Sequence, residues 1–289
     1  MSTWLQTTLN IKYPIILAPM FLVSDEAMII AASDAGIIGT LPAHNYRSIA
    51  GLQEGLAKIK KNIGNNFGVN LIANKSNLLL AKQLDVCIES KPKFIITSLG
   101  NPKQIIEKCK KNNILVLCDV IDYKYAIKVQ ELGADAIIAV NSGAGGHAGN
   151  IPASVLIPSL ISKLTIPVIS AGGVGDYLGF KSMATLGACG LSVGTPFIAT
   201  KECPVNKSYK DAIVNSTSDD IILTDRVTGT NCTFIKTNHL LKKINNPLAP
   251  ISATDNGCKN QVWCAGPSLE FSTKITSVQE VVERIIGTI

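Results

Sequence analysis

Between residues 143 and 149 the chain reads Gly-Ala-Gly-Gly-His-Ala-Gly, directly after the apolar run Ala136–Val140. One imidazole, His147, stands in a stretch almost bare of side chains. Histidine titrates near neutral pH and can take and return a proton. Glycine lets a backbone approach a ligand closely and adopt positive φ. Bare backbone with a single base suits a planar cofactor whose face carries the chemistry. Two more glycine motifs follow: Ser170-Ala171-Gly172-Gly173-Val174 and Ser192-Val193-Gly194-Thr195-Pro196. Their main-chain N–H groups, with the Thr195 hydroxyl, form a donor set suited to a phosphate. A phosphate there sets an attached ring below His147.

Such chemistry needs elements that bring three distant loops together. Short apolar runs at 15–18, 37–39, 67–70, 94–97, 114–118, 136–140, 167–170 and 190–193 read as eight strands. Helical patterns at 25–35, 48–61, 77–89, 102–112, 123–132, 157–164 and 179–186 alternate with them. Continuous apolar strands imply burial on both faces and a parallel sheet. Eight strands alternating with helices predict an α/β fold, the (β/α)8 TIM barrel, whose active sites sit at the carboxyl ends of the strands. A doubly wound sheet is the alternative, but it more often carries its glycine turn after the first strand. The predicted strand ends hold Pro19-Met20, Asn70, Thr97-Ser98, Asp119, Asn141-Ser142, Gly172-Gly173 and Gly194-Thr195. The late glycine motifs follow the last two strands, where many barrels bind phosphate.

The expected organisation is a barrel over 1–200, an inserted lid segment over 201–240 that breaks the strand–helix rhythm, and a C-terminal helical segment over 241–289. The last includes an amphipathic helix over 277–286, with Ser277 as N-cap and Glu280 at the capping-box spacing. His44 and His239 read as ordinary histidines.

Composition narrows the classes. Of 289 residues 46% are hydrophobic and 17% charged, which supplies a core and argues against disorder. The net charge of +6 comes partly from lysine groups late in helix-like segments, where they favour the dipole. No aromatic residues interleave with them, so no nucleic acid partner is expected. The eight cysteines form no CxxC pair, and no metal site is expected. No apolar stretch is long enough for a membrane span and the N-terminus lacks a signal-like segment, so a cytoplasmic protein is expected.

The set Ala18-Pro19-Met20, Gly68-Val69-Asn70, Ala144-Gly145-Gly146-His147-Ala148-Gly149, Ala171-Gly172-Gly173 and Val193-Gly194-Thr195 resembles the nitronate monooxygenase family, formerly 2-nitropropane dioxygenase. That group includes FMN-dependent enoyl-ACP reductases and NADH:quinone reductases. Residues 39–43, Val227-Thr228-Gly229 and 262–266 extend the likeness along nearly the whole chain. The resemblance implies a flavoprotein oxidoreductase that uses FMN and O2 on a small nitronate or nitroalkane, giving a carbonyl compound and nitrite. It implies His147 as catalytic base, Asn70 at the flavin ring system, Gly145 beside the isoalloxazine, and Pro19 and Met20 packed against it. Gly172, Gly173, Ser192, Val193, Gly194 and Thr195 would hold the FMN phosphate. Two positions depart from the family. Many members carry Gln, Glu or Asp where this chain has Val140, and Asn141, Ser142 or Asp119 are the substitutes at hand. The tail reads Ala265-Gly266-Pro267, where the family commonly has Ala-Gly-Gln. The alternatives are an NAD(P)H-dependent reductase of enoyl-ACP or a quinone, and a flavin-binding module without turnover. The sequence leaves a homodimer open.

Overall fold

Eight parallel strands close into a barrel in the computed structural model, which describes residues 2–245 and 262–289. In chain order the strands are β1 (Ile15–Leu17), β2 (Ile38–Pro42), β3 (Gly68–Ile72), β4 (Phe94–Ser98), β5 (Leu115–Val120), β6 (Ala136–Val140), β7 (Gly146–His147), β8 (Val168–Ala171), β9 (Leu191–Val193), β10 (Ile221–Thr224) and β11 (Cys232–Ile235). The barrel order is β1-β2-β3-β4-β5-β6-β8-β9, and β9 pairs back onto β1. The predicted fold is therefore the observed one.

Side-chain alternation explains the closure. One set of residues, including Ile16, Ile38, Phe94, Ile96, Leu117, Ile138 and Ile169, fills the interior. The intervening set, including Leu17, Leu41, Val69, Ile95, Val116, Ile137 and Val168, packs outward under the helices. Both faces are dry, which is why the strands read as unbroken apolar runs. A Cβ at Gly68 would overlap the Phe94 ring, so Phe94 uses the space that Gly68 leaves.

The helices are α1 (Trp4–Leu9), α2 (Glu26–Asp34), α3 (Ile49–Ile63), α4 (Leu80–Ser90), α5 (Lys103–Lys111), α6 (Tyr123–Glu131), α7 (Ala153–Ile161), α8 (Tyr177–Thr185), α9 (Thr195–Ile198), α10 (Lys207–Asn215), α11 (Asn238–Asn245) and α12 (Val278–Ile286). Sequence periodicity does not mark α1, because only two of its six residues, Leu5 and Leu9, are buried. They join the barrel interior, and a Cβ at Gly190 would collide with Leu5. Helix α7 starts at Ala153, about one turn before the predicted 157, and carries Pro158 inside it. Helix α12 has the expected capping box of Ser277 and Glu280 and packs against α2 and α8. It thereby completes the helical ring after the excursion through α10, β10, β11 and α11.

Seven cysteines within the described residues are free thiols, and Cys258 lies outside those residues. No helix among the described residues is long and apolar enough to cross a membrane.

Candidate active site

Three loops at the carboxyl ends of β6, β8 and β9 meet through their backbones. Asn141, buried at the end of β6, holds two of them: its Oδ1 accepts from Gly143 N–H at 2.8 Å and its Nδ2 donates to the Gly172 carbonyl at 3.1 Å. Gly173 N–H donates to the Gly143 carbonyl at 2.9 Å. Gly172 has φ +110°, and a Cβ there would overlap the Ala144 nitrogen. Its missing side chain thus serves loop-to-loop contact. Gly173, at φ +78°, faces open space: a Cβ there would meet only the Gly143 Cα, at 3.9 Å.

Gly145 is confined like Gly172. A Cβ there would lie 2.6 Å from Thr195 Oγ1 and 2.7 Å from Gly266 N. Gly266 N–H donates to Thr195 Oγ1 at 3.0 Å, which brings the 262–266 segment onto the glycine loop. The Thr195 oxygen is then an acceptor already used, and its own hydrogen remains to donate. Ser192 faces the interior of the mouth by strand alternation. The Val193 side chain points outward into the barrel–helix core, so only its main chain can reach a ligand. Met20 packs within reach of Gly194, its sulfur 3.2 Å from where a Cβ would stand. The Met20 loop is closed by Met20 N–H donating to Ser24 Oγ at 2.9 Å. Pro19 and Ser142 are partly exposed at the same rim.

His147 occupies β7, which pairs antiparallel with β11: Cys232 lies across from His147 and Thr233 across from Gly146. The Thr233 hydroxyl donates to the Ala144 carbonyl at 2.6 Å and also lies 3.2 Å from the Gly146 carbonyl. The excursion after the barrel therefore supplies the strand that holds the histidine loop. Solvent reaches the imidazole, yet surrounding protein partly desolvates it and pulls its pKa below the usual 6.5. The neutral, proton-accepting form is favoured at neutral pH.

Across the mouth, inward-facing Asn70 on β3, Ser98 on β4 and Asp119 on β5 form a polar row. Asn70 Nδ2 donates to Ser98 Oγ at 2.8 Å and to the Ile96 carbonyl at 3.3 Å. Ser98 Oγ donates in turn to Asp119 Oδ2. Desolvation raises the Asp119 pKa to about 6, opposed in part by the Ser98 hydrogen bond. Next in the ring, Val140 continues the polar row with an apolar side chain. Asn141 spends one hydrogen of its amide nitrogen and one lone pair of its oxygen on the loops.

All the residues expected at the site lie at one rim. Periodicity does not single out Asn141, Thr233 or Ser98 as organisers. Asn141 and Ser98 stand at predicted strand ends, while Thr233 gives no local signal. His44 lies beyond β2 with its ring 5.2 Å from Phe21, both exposed. Among the described residues no cluster of His, Cys, Asp and Glu could hold a metal ion. The main-chain cradle with Thr195 as donor, open beside Gly173, fits a phosphate-bearing ligand with a planar ring above it.

Comparison with known proteins bears on the family and the fold. A protein called probable nitronate monooxygenase from Staphylococcus saprophyticus is 27% identical, covering 85% of this chain and 81% of its own length. A (3aS,4S,5R,7aS)-5-hydroxy-7a-methyl-1-oxo-octahydro-1H-indene-4-carboxyl-CoA dehydrogenase from Rhodococcus jostii is 28% identical over 79% of this chain, and the match spans 64% of that protein. Among solved structures, FabK from Thermotoga maritima superposes with a TM-score of 0.90 at 26% identity, covering 99% of this chain and 96% of its own. The nitronate monooxygenase family model matches residues 80–286, and the chain belongs to that family.

Proposed function

We propose that this protein is an FMN-dependent nitronate monooxygenase, oxidising alkyl nitronates or nitroalkanes with O2 to carbonyl compounds and nitrite. The observation that carries the reading is the convergence at one rim of the β7 histidine loop with the glycine loops after β8 and β9, joined through Asn141 and Thr195. Family membership supports a flavin, and a cradle with donors for one phosphate group favours FMN. In this reading Gly194, Ser192 and Thr195 hold the phosphate, Gly173, whose N–H is spent on Gly143, leaves room for it, and Met20, Pro19, Asn70 and Gly145 border the ring. Ser142 lines the same rim, and Val193 contributes only backbone. The segment 201–240 acts as a lid through β11.

A bound flavin supplies the redox chemistry. The chain supplies position and proton transfer. For a neutral nitroalkane, the neutral His147 ring takes the α-proton, and a positioned base of this kind contributes about 10²–10⁴-fold. A nitronate arrives already deprotonated and needs no such step.

A second reading, an NAD(P)H-dependent reductase of an enoyl thioester or quinone, has one observation in its favour. Phe21, Leu99 and Ile121, all on loops at the carboxyl ends of strands, are exposed around the mouth. That apolar rim suits an acyl chain better than a small nitro compound. Anaerobic absorbance titration of the FMN-loaded protein decides between them. Bleaching by a nitronate, with none by NADH or NADPH, is the expected result. Rapid bleaching by NADH or NADPH followed by reoxidation with a crotonyl thioester overturns it. Failure to take up FMN overturns both.

A further inference from the structure

Ser98 and Asp119 lie beside Asn70 in the ring of inward-facing polar residues, and the three form one directional chain. The Ile96 carbonyl can only accept, so the Asn70 amide must turn its nitrogen toward it. The second amide hydrogen goes to Ser98 Oγ at 2.8 Å. Ser98, having accepted from Asn70, directs its own hydrogen to the Asp119 carboxylate. Both Asn70 donors are thus consumed inside the barrel, and its Oδ1 is the only side-chain polar group it has left for the mouth. Asn70 is 5% exposed, so the amide is held in a packed pocket and does not sample both orientations freely.

We infer that Ser98 and Asp119 are positioning residues that make Asn70 a hydrogen-bond acceptor, never a donor, toward the cofactor ring. The inference rests on the flavin reading and adds a consequence to it. Reduction of an isoalloxazine adds a hydrogen at ring N5, whereas N3–H is carried by both forms, so a fixed acceptor set toward N5 binds the reduced form better than the oxidised one. Asp119 acts here through Ser98, with no direct contact to the ring required of it. The groups that bear electrostatically on this end of the chain are the Tyr125 phenol of α6 and the Cys118 thiol on the outer face of β5. Burial pushes both of them up, and the Asp119 charge adds to that shift.

The test measures dissociation constants of oxidised and dithionite-reduced FMN, by fluorescence and anaerobic ultrafiltration, in the wild type, Ser98→Ala, Ser98→Thr and Asn70→Ala. The wild type should bind reduced FMN more tightly than oxidised FMN. One hydrogen bond of ordinary strength corresponds to about a tenfold ratio, so Asn70→Ala should lower the reduced-to-oxidised preference by roughly that factor. Ser98→Ala should lose most of the same preference while still binding oxidised FMN, and Ser98→Thr, which keeps the hydroxyl, should restore it. An unchanged preference in both Ala variants, with FMN bound in all four proteins, overturns the inference and leaves the flavin reading standing. A wild type that binds neither form overturns the flavin reading itself. Thermal unfolding of the four proteins separates a folding defect from a loss of preference, and Ser98→Thr keeps the test decisive if Ser98→Ala unfolds.

Discussion

The Thr233 hydroxyl donates to the Ala144 carbonyl at 2.6 Å, across 89 residues of chain. This bond ties the strand that follows the barrel excursion to the loop that carries His147. Replacing Thr233 with Val keeps the shape and removes the donor, leaving a buried carbonyl without that partner. A stability loss of about 1–3 kcal/mol is expected, the range for an unsatisfied buried group. Activity should fall further than flavin occupancy, since the loop loosens while the phosphate cradle stays. Urea unfolding and the flavin-to-protein absorbance ratio check this. Loss of flavin without loss of turnover per bound flavin contradicts it.

His147→Ala should retain FMN and lose about 10²-fold or more of the rate on neutral nitroalkanes, with a smaller effect on preformed nitronates. The wild-type rate on nitroalkanes should drop as pH falls, because protonation removes the base. Desolvation lowers the folded pKa, so the midpoint should lie below 6.5. The pH–rate profile on both substrate forms is the measurement. Equal losses on nitroalkane and nitronate, or a midpoint above 6.5, argue against the base assignment.

Gly172 and Gly173 are adjacent and both have positive φ, yet they should respond differently to Ala. At Gly172 the new methyl would overlap the Ala144 backbone, so several kcal/mol of destabilisation and loss of bound flavin are expected together. At Gly173 space is open, so Ala costs mainly its strained φ, about 1–2 kcal/mol. Its flavin affinity should fall by more than its stability does. Thermal melts of the flavin-free proteins and FMN titrations distinguish the two.

Asp119 should depress stability as pH rises. Its pKa is about 6 in the fold against 3.8 ordinarily, so between these values the native state binds more protons than the unfolded state. Stability from this group is therefore highest below 3.8 and is lost as pH rises through about 6. A shift of this size corresponds to about 3 kcal/mol in full. Asp119→Asn should abolish that part of the slope and gain most at high pH. Urea unfolding of both proteins, from acid to mildly alkaline pH, checks it, and parallel profiles refute it.

A structural control lies at the base of the barrel. Gly68→Ala would drive a methyl into the Phe94 ring and should cost about 1–3 kcal/mol without touching the rim. Combining it with Phe94→Leu should recover part of the loss, as measured by chemical denaturation.

Much of this protein is written in local pattern. Parallel strands buried on both faces appear as continuous apolar runs, so the eight barrel strands and their order of helices were legible from residue 15 onward. The glycine motifs were legible for the same reason: backbone contact excludes side chains, and only glycine leaves that trace. The position of His147 within such a loop marked the candidate site. Tertiary structure alone decided the rest. The mate of β7 is β11, far along the chain, and nothing near Thr233 announces that its hydroxyl will meet Ala144. The direction of the Asn70–Ser98–Asp119 chain arises because barrel closure sets the ends of β3, β4 and β5 side by side, bringing donors and acceptors from three separate runs within hydrogen-bonding distance. Gly172 likewise spares room for another loop, a requirement visible only once β6 and β8 stand side by side. Local sequence sets which face of an element is apolar, while hydrogen bonds between distant elements depend on distances that only the folded barrel defines.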